Sequence, residues 1–463
     1  MHVVFVGGGS FRTLPIVRGA MGDGVTLRDG IVWLVDFDQG RAETVGRLIM
    51  RTPEFAGSGC RVRWTANLDE ALPGADVVSA SFPVGSAQVC CLSEQVSRQH
   101  GFPCSDQLSL SGAFRSLTGS VILLDIARRM EGHCPRAWLV AHANPVAVYS
   151  GLVNNHTRIK ALGLCGSCYH PNWDLTRLLY DQDEYRKEYT YAAAGVNHLC
   201  FLLRGKHLGR DVYQLLDEKY GDRPWTPHLP SVPDGARETL WFSYRLLRKM
   251  RRSFGIFTCS NELEGATNLF PEEFPDPRAA VSLTTEEIAQ ETARAHAARR
   301  QADREFKAHL DRDLDADFWS QSSRVSRYFG ATPEDTTAVV LRALGSDTPQ
   351  WLGASLPNRG VVAGFKDRTV LEYTFTLDRH GLRPDRDLEV PDSLHGLISA
   401  LASHQTLLGD AVATGDPRLF AEALFAYPHH QSMRSATALW KALLAIHAEE
   451  IPAVFQKASD YFV

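Results

Sequence analysis

The chain has 463 residues, of which 44% are hydrophobic and 22% charged, with a formal net charge of -5. That balance describes a globular protein too long for one ordinary core, so two closely packed domains are expected. Nothing in it favours nucleic acid as a partner. No leader peptide and no membrane-length apolar run of ~18 residues is expected. Nine scattered cysteines argue against a disulfide framework, so a cytoplasmic setting without membrane attachment is expected.

In chain order, the first strand and turn read His2-Val3-Val4-Phe5-Val6-Gly7-Gly8-Gly9-Ser10, followed by Phe11. An apolar β-branched run stopped by glycines and continued as a helix is the layout of a dinucleotide-binding turn. Bare backbone there approaches a pyrophosphate, and free N–H groups at the helix start attract its charge. Gly7, Gly8, Gly9, Ser10 and Phe11 are therefore candidate cofactor contacts. A second strand at 31–35 ends at Asp36, placed to accept hydrogen bonds from an adenosine ribose. Arg12 stands where the third glycine of the fingerprint belongs, so a tight turn without a ligand is the alternative reading.

Further strands are expected at 62–64, 77–80 and 137–141, with helical patterns at 40–50 and 114–130 between them. Strands spaced by helices predict a parallel, doubly wound α/β sheet of Rossmann type. The strand at 137–141 runs into His142-Ala143-Asn144-Pro145-Val146. Such a stop aims the Asn144 amide at the carboxyl edge of the sheet, where ligands bind in these folds, although a plain turn gives the same pattern.

After Gly195 the pattern changes to mixed strands and longer helices. Thr284 with Glu287 offers a capping box for an alanine-rich helix running toward Leu310. The basic run at 248–252 reads as helix surface. Paired strands are expected within 360–377 and helices from 394 to 455. The expected division is a dinucleotide-binding domain at 1–190 and an α+β domain at 191–463.

Two segments carry further chemistry. Ala161-Leu162-Gly163-Leu164-Cys165 ends a strand in a cysteine, and Tyr191-Ala192-Ala193-Ala194-Gly195-Val196-Asn197-His198 ends another in a histidine. A thiolate and an imidazole suit a borderline transition metal, with positions left open for substrate oxygens. By spacing alone a buried cysteine and a satisfied core histidine are the commoner arrangement. Cys165-Gly166-Ser167-Cys168 also matches C-x-x-C, but no second pair stands at the spacing a structural zinc site uses, and a redox disulfide is not expected after a nucleotide fold.

The ordered set of these motifs resembles glycoside hydrolase family 4, the NAD-dependent glycosidases. It comprises Gly7-Gly8-Gly9-Ser10, Asp36-Phe37-Asp38 with Arg41, Ala113-Phe114-Arg115-Ser116, Asn144-Pro145, Gly163-Leu164-Cys165 and Asn197-His198. Leu356-Pro357-Asn358-Arg359-Gly360 and Val370-Leu371-Glu372-Tyr373 continue it. The resemblance implies a lactate/malate dehydrogenase-like fold, bound NAD, and manganese or another divalent ion on Cys165 and His198. It adds NAD to the first domain and substrate, metal and oligomerisation roles to the second. It implies transient oxidation at C3 of a sugar, removal of the C2 proton, elimination of the glycosidic oxygen and addition of water. Asn144 would contact the sugar or the nicotinamide ribose, and Arg115 and Asn197 the substrate. Tyr244 and Asp106 are the catalytic candidates, with Glu262, Glu264 and His170 behind them. The partner implied is a small carbohydrate or glycoside, and a homodimer or homotetramer is expected.

The departures from the family's pattern lie on the substrate side. Pro83-Val84-Gly85-Ser86 replaces an Arg-Val-Gly-Gly stretch, Asp106-Gln107-Leu108-Ser109-Leu110-Ser111-Gly112 replaces a glycine-rich one, and Gly166 stands where relatives carry Asp, Asn or His. A second reading is therefore a non-hydrolytic C3 dehydrogenase or epimerase acting on a sugar, nucleoside or related polyol. A third is a binding protein that kept the nucleotide fold.

Overall fold

The structure is a computed structural model and describes residues 1–186, 188–259, 265, 269–270, scattered positions between 286 and 308, 335–428 and 432–462. Six parallel strands form its N-terminal part: β1 (His2–Val6), β2 (Ile31–Val35), β3 (Arg61–Thr65), β4 (Val77–Ala80), β5 (Trp138–Ala141) and β6 (Lys160–Gly163). The crossovers are α1 (Thr13–Met21), α2 (Gln39–Ile49), α3 (Leu68–Ala71), α4 (Ala87–Gln99), α5 (Leu110–His133) and α6 (Val146–His156). α7 (His170–Tyr180) then leads into the second half. The strands are short, and β1, β2 and β4 at the centre of the sheet are rich in β-branched residues and buried on both faces, as a parallel sheet covered by helices requires, while β3 at the edge alternates exposed and covered residues. Their order is β3-β2-β1-β4-β5-β6, so the chain reverses direction across the sheet between β1 and β4. A crevice opens at the carboxyl ends of the strands at such a switch point.

The second half supplies β7 (Tyr189–Val196), β8 (Leu199–His207), β9 (Arg210–Asp211), β10 (Phe257–Thr258), β11 (Gln350–Pro357), β12 (Val370–Asp378) and β13 (Gly381–Pro384). Its helices are α8 (Val212–Tyr220), α9 (Asp234–Phe254), α10 (Thr336–Leu344), α11 (Asp392–Thr414), α12 (Pro417–Ala426) and α13 (Met433–Ile446). These strands do not form a separate sheet. β11 pairs antiparallel with β6, Ser355 facing Gly163, and the sheet continues through β12, β7, β8 and β10. The position expected as a boundary, residue 190, lies at the start of β7. In space the larger core runs through it, because Leu371, Phe375, Leu401 and Leu408 join the same buried cluster as Val3 and Val78. A second, smaller core gathers Cys168, Leu175, Tyr191, Leu202, Leu216 and Tyr244.

Two expectations need correction. The region expected as paired strands holds β12 alone, and the loop before it is organised by Asn358, whose Nδ2 donates to the Val362 and Phe365 carbonyls. Its strand partner, β11, lies earlier, at Gln350–Pro357. Second, α5 is long and apolar enough to cross a membrane by composition, but 67% of that window is buried, which makes it a core helix. Tyr244, one of the catalytic candidates, lies in the smaller core. The capping box at Thr284 and most of the helix expected toward Leu310 lie outside the described residues.

A candidate dinucleotide and metal site

The glycine turn closes onto its neighbours. Gly7 has φ 81°, and a Cβ there would collide with the Ser81 carbonyl at the end of β4. A Cβ on Gly8 would lie 2.7 Å from Leu34 Cα, and one on Gly9 would lie 2.8 Å from an Asp36 carboxylate oxygen. All three glycines are therefore required by close packing of β1, β2 and β4. Asp36 holds the turn directly, accepting from the Gly9 N–H at 3.0 Å and the Asp38 N–H at 3.0 Å. Arg41 caps the arrangement, its guanidinium 5.0 Å from the Phe11 ring centroid and its Nε donating to the Gly9 carbonyl.

Arg12, the departure from the glycine fingerprint, has a long-range partner. Its Nη2 lies 2.6 Å from Asp335 Oδ2, and Asp335 caps α10 by accepting from the Thr337 N–H. His142, at the end of β5, completes this group with Nε2 3.8 Å from Asp335 Oδ1. Burial, reinforced by Arg12 and opposed by Asp335, holds the His142 imidazole well below the usual histidine range. Burial would raise the Asp335 carboxyl, but His142 and Arg12 outweigh it and hold the group low.

Cys165 and His198 meet. Cys165 follows β6 at the carboxyl edge, and Asn197-His198 forms the two-residue turn between β7 and β8, with Val196 paired to Leu199. His198 adopts φ 64°, a left-handed conformation uncommon for any residue with a Cβ. The bare Cα of Gly265 packs against its carbonyl oxygen, where a Cβ would collide. The result is a Cys165 Sγ to His198 Nε2 separation of 3.5 Å. Two donors bonded to one transition ion at ~2.3 Å for sulfur and ~2.1 Å for nitrogen lie about 3.6 Å apart when tetrahedral. The donor set and the spacing fit a divalent transition ion.

Around this pair lie polar atoms that lack partners among the described residues: Gln107 Oε1, Asn197 Oδ1 and Arg115 Nε. Buried polar groups left in this state mark places where a ligand, ion or water completes the bonding. Gln107 lies beside the thiol, its Nε2 3.9 Å from Cys165 Sγ. Asn144 Nδ2 donates to Asp106 Oδ2 at 2.8 Å, and Arg115 Nη1 lies 3.9 Å from the same oxygen. Asp106, Arg115 and Asn144 thus form one cluster.

Sequence reasoning passed over two residues. Gln107 was visible only as part of an altered glycine-rich stretch. Glu372, on β12, is 1% exposed and accepts from Asn197 Nδ2 at 2.6 Å, from Ser355 Oγ at 3.3 Å and from Ser167 Oγ. It orients the residue next to His198, and the Val-Leu-Glu-Tyr motif was its signal.

Tyr244 has no exposed surface, and its hydroxyl donates to Asp174 Oδ1 at 3.0 Å. Burial, then the Asp174 charge, push its phenol far up, the wrong direction for a base. The tyrosine instead braces α7, which begins at His170. His170 Nε2 lies 3.8 Å from where a Cβ on Gly166 would stand. Glu262 and Glu264 fall outside the described residues.

The class defined here is a dinucleotide-fold protein with a thiol–imidazole pair beside the nucleotide crevice. At the level of fold, lactate dehydrogenase from Eimeria maxima superposes with a TM-score of 0.50 at 12% identity, covering 93% of this chain and 97% of that one. Residues 2–180 match the family 4 glycosyl hydrolases, and residues 193–430 match the family 4 glycosyl hydrolase C-terminal domain. The chain belongs to that family and is a glycoside hydrolase. It is 23% identical over 457 residues to 6-phospho-beta-glucosidase of Escherichia coli (strain K12), covering 98% of this chain and 96% of the relative. It is 24% identical to alpha-galactosidase of Bacillus subtilis (strain 168), covering 75% and 74%. The 6-phospho-beta glucosidase of Thermotoga maritima, solved with manganese, NAD+ and glucose-6-phosphate, superposes with a TM-score of 0.72 at 16% identity, over 97% of this chain and 99% of that one.

Proposed function

We propose that this chain is an NAD- and divalent-metal-dependent glycosidase. In it Cys165 and His198 hold the ion, and Gly7 to Phe11 with Asp36 hold the dinucleotide. The observation that carries the reading is the 3.5 Å approach of Cys165 Sγ to His198 Nε2 at the carboxyl edge that also bears the glycine turn. When bound, NAD would accept and return a hydride, and a divalent ion such as manganese would act as a Lewis acid toward sugar oxygens. The residues of the chain do the rest. Gln107 Oε1, Asn197 Oδ1 and Arg115 Nε offer unmet hydrogen bonds to sugar hydroxyls. Asp106, steadied at Oδ2 by Asn144 and Arg115, presents Oδ1 to take a proton. Gly166 carries no acid, but His170 Nε2 reaches the space its side chain would fill and can protonate a leaving oxygen.

The sugar in this reading carries no phosphate. The arginine of the Arg-Val-Gly-Gly stretch is absent, and Glu450 Oε1 accepts the Ser86 N–H at 2.8 Å at the start of α4. A carboxylate of the chain itself at a helix N-terminus takes the place an anion would use. We also propose a cytoplasmic homodimer or homotetramer, to be read by light scattering.

The test is incubation with NAD, manganese and reductant, following glycoside cleavage, net NADH and solvent deuterium at C2. Cleavage with deuterium incorporation and no net NADH is the expected outcome. The open Gly166 favours one second reading, a C3 dehydrogenase or epimerase, for which net NADH or inversion without cleavage would speak. No turnover on a broad panel of glycosides and polyols would defeat both.

A further inference from the structure

Cys165-Gly166-Ser167-Cys168 sends its two thiols to different places. Cys165 turns to His198, while Cys168 turns inward and is fully buried. There its Sγ lies 4.0 Å from Cys200 Sγ and 3.2 Å from Glu372 Oε1. One ligand atom from each of Cys168, Cys200 and Glu372 lies within 4.8 Å of the others. Cys259, also fully buried, stands beside them, its backbone N–H donating to the Cys200 carbonyl at 2.6 Å. The donors come from three separate segments: the turn after β6, strand β8 and strand β12.

The spacing is that of a coordination sphere. Tetrahedral zinc bonded at ~2.3 Å to sulfur and ~2.0 Å to oxygen sets two sulfurs about 3.8 Å apart and a sulfur and an oxygen about 3.5 Å apart. The observed 4.0 and 3.2 Å lie on either side of those edges. β11 leaves room for the group, because a Cβ on Gly353 would lie 2.6 Å from Cys168 Sγ. Charge points the same way. Glu372 is 1% exposed, and among the described residues no Arg, Lys or His pairs with it, its donors being Ser167, Ser355, Asn197 and Cys168. A buried carboxylate ringed by neutral donors and thiols lacks the opposite charge that burial demands.

We propose that Cys168, Cys200 and Glu372 form a second metal site, buried and structural, that takes zinc, with Cys259 beside Cys200 the candidate for a fourth ligand. Thiolate donors select zinc over harder divalent ions, and burial of the group excludes substrate. Loading the ion displaces the protons of the coordinating thiols to solvent and involves no redox change. The site acts as a clamp, since Cys168 follows Cys165 by three positions and Cys200 follows His198 by two. Its existence does not depend on the front pair holding a metal.

The experiment uses the full chain carrying Cys165→Ser, in which the front pair has lost its thiol. After removal of metal, addition of cobalt should give an intense near-ultraviolet thiolate-to-cobalt band with tetrahedral visible bands. Zinc should displace the cobalt at one ion per chain. Cys200→Ser in the same background should weaken zinc binding at least about tenfold. Absence of a thiolate band in Cys165→Ser, or a band and zinc affinity unchanged by both Cys200→Ser and Cys259→Ala, would overturn the proposal. If those double variants fail to fold, the spectrum and zinc stoichiometry of Cys165→Ser decide by themselves.

Discussion

The glycine turn and the Cys165–His198 corner share one edge of one sheet and are built in opposite ways. The turn is a local device. Gly7, Gly8 and Gly9 are each held against backbone or side chains of Ser81, Leu34, Arg41 or Asp36, all within the first part of the chain. The corner is assembled from afar, with Gln107, Cys165, Asn197-His198 and Glu372 brought together by the antiparallel continuation of the sheet. A motif built locally can be recognised as a string, whereas a site built across strands is seen only when the pairing is known.

The largest test of this contrast is at the corner. His198→Ala or Cys165→Ser should remove metal-dependent turnover, a loss of about a thousandfold, because a Lewis acid supplies several kcal/mol of charge stabilisation. Stability should change little. Full metal-dependent activity in either variant, measured against manganese concentration, would dissolve the corner as a site.

At the turn the effect should be on folding first. Gly7→Ala combines φ 81° with a collision against Ser81, and should cost about 3 kcal/mol in denaturant unfolding. A stable variant that loses only NAD affinity would show that the glycines serve the ligand more than the packing.

Acid should separate the two regions next. His142 beside the turn titrates below its ordinary value of 6.5 in the folded protein, so its contribution is fully present above pH 6.5 and is lost as pH falls through the lower folded value. Asp335 is also held low, below its ordinary 3.8, so its contribution is lost further down. Stability should therefore fall with acid from pH 6.5 downward, by up to about 1.4 kcal/mol per pH unit for one group. His142→Gln should flatten that slope in unfolding titrations. An unchanged slope would remove His142 from the account.

The smallest effect concerns Tyr244→Phe. Losing one buried hydrogen bond to Asp174 should cost about 1 kcal/mol of stability, with turnover reduced less than tenfold. A thousandfold loss of turnover at unchanged stability would return the phenol to the role of base.

The order of strands in the first half was legible because periodicity there is local. β1, β2 and β4 fall at the expected positions, and β3 and β5 within one residue at an end. Asp36, Asn144, Cys165 and His198 were legible as strand ends, where an apolar run stops at a polar residue. Gln107 and Glu372 were quoted inside motifs without a role, since neither spacing nor residue type says which side chain will face a thiol or an asparagine. The burial of Tyr244 was not legible, because distance along a chain does not report which side chains a fold covers.

By itself, then, the sequence determined the parallel α/β half, the glycine turn and the identity of the candidate donors, all properties of patterns a few residues long. The tertiary structure decided that Arg12 reaches Asp335, that both halves share one sheet, and that the two thiols of Cys165-Gly166-Ser167-Cys168 part company. The physical reason is that β6, β7, β8, β11 and β12 become neighbours only through hydrogen bonding between segments up to about two hundred residues apart, and that pairing sets which face each side chain shares.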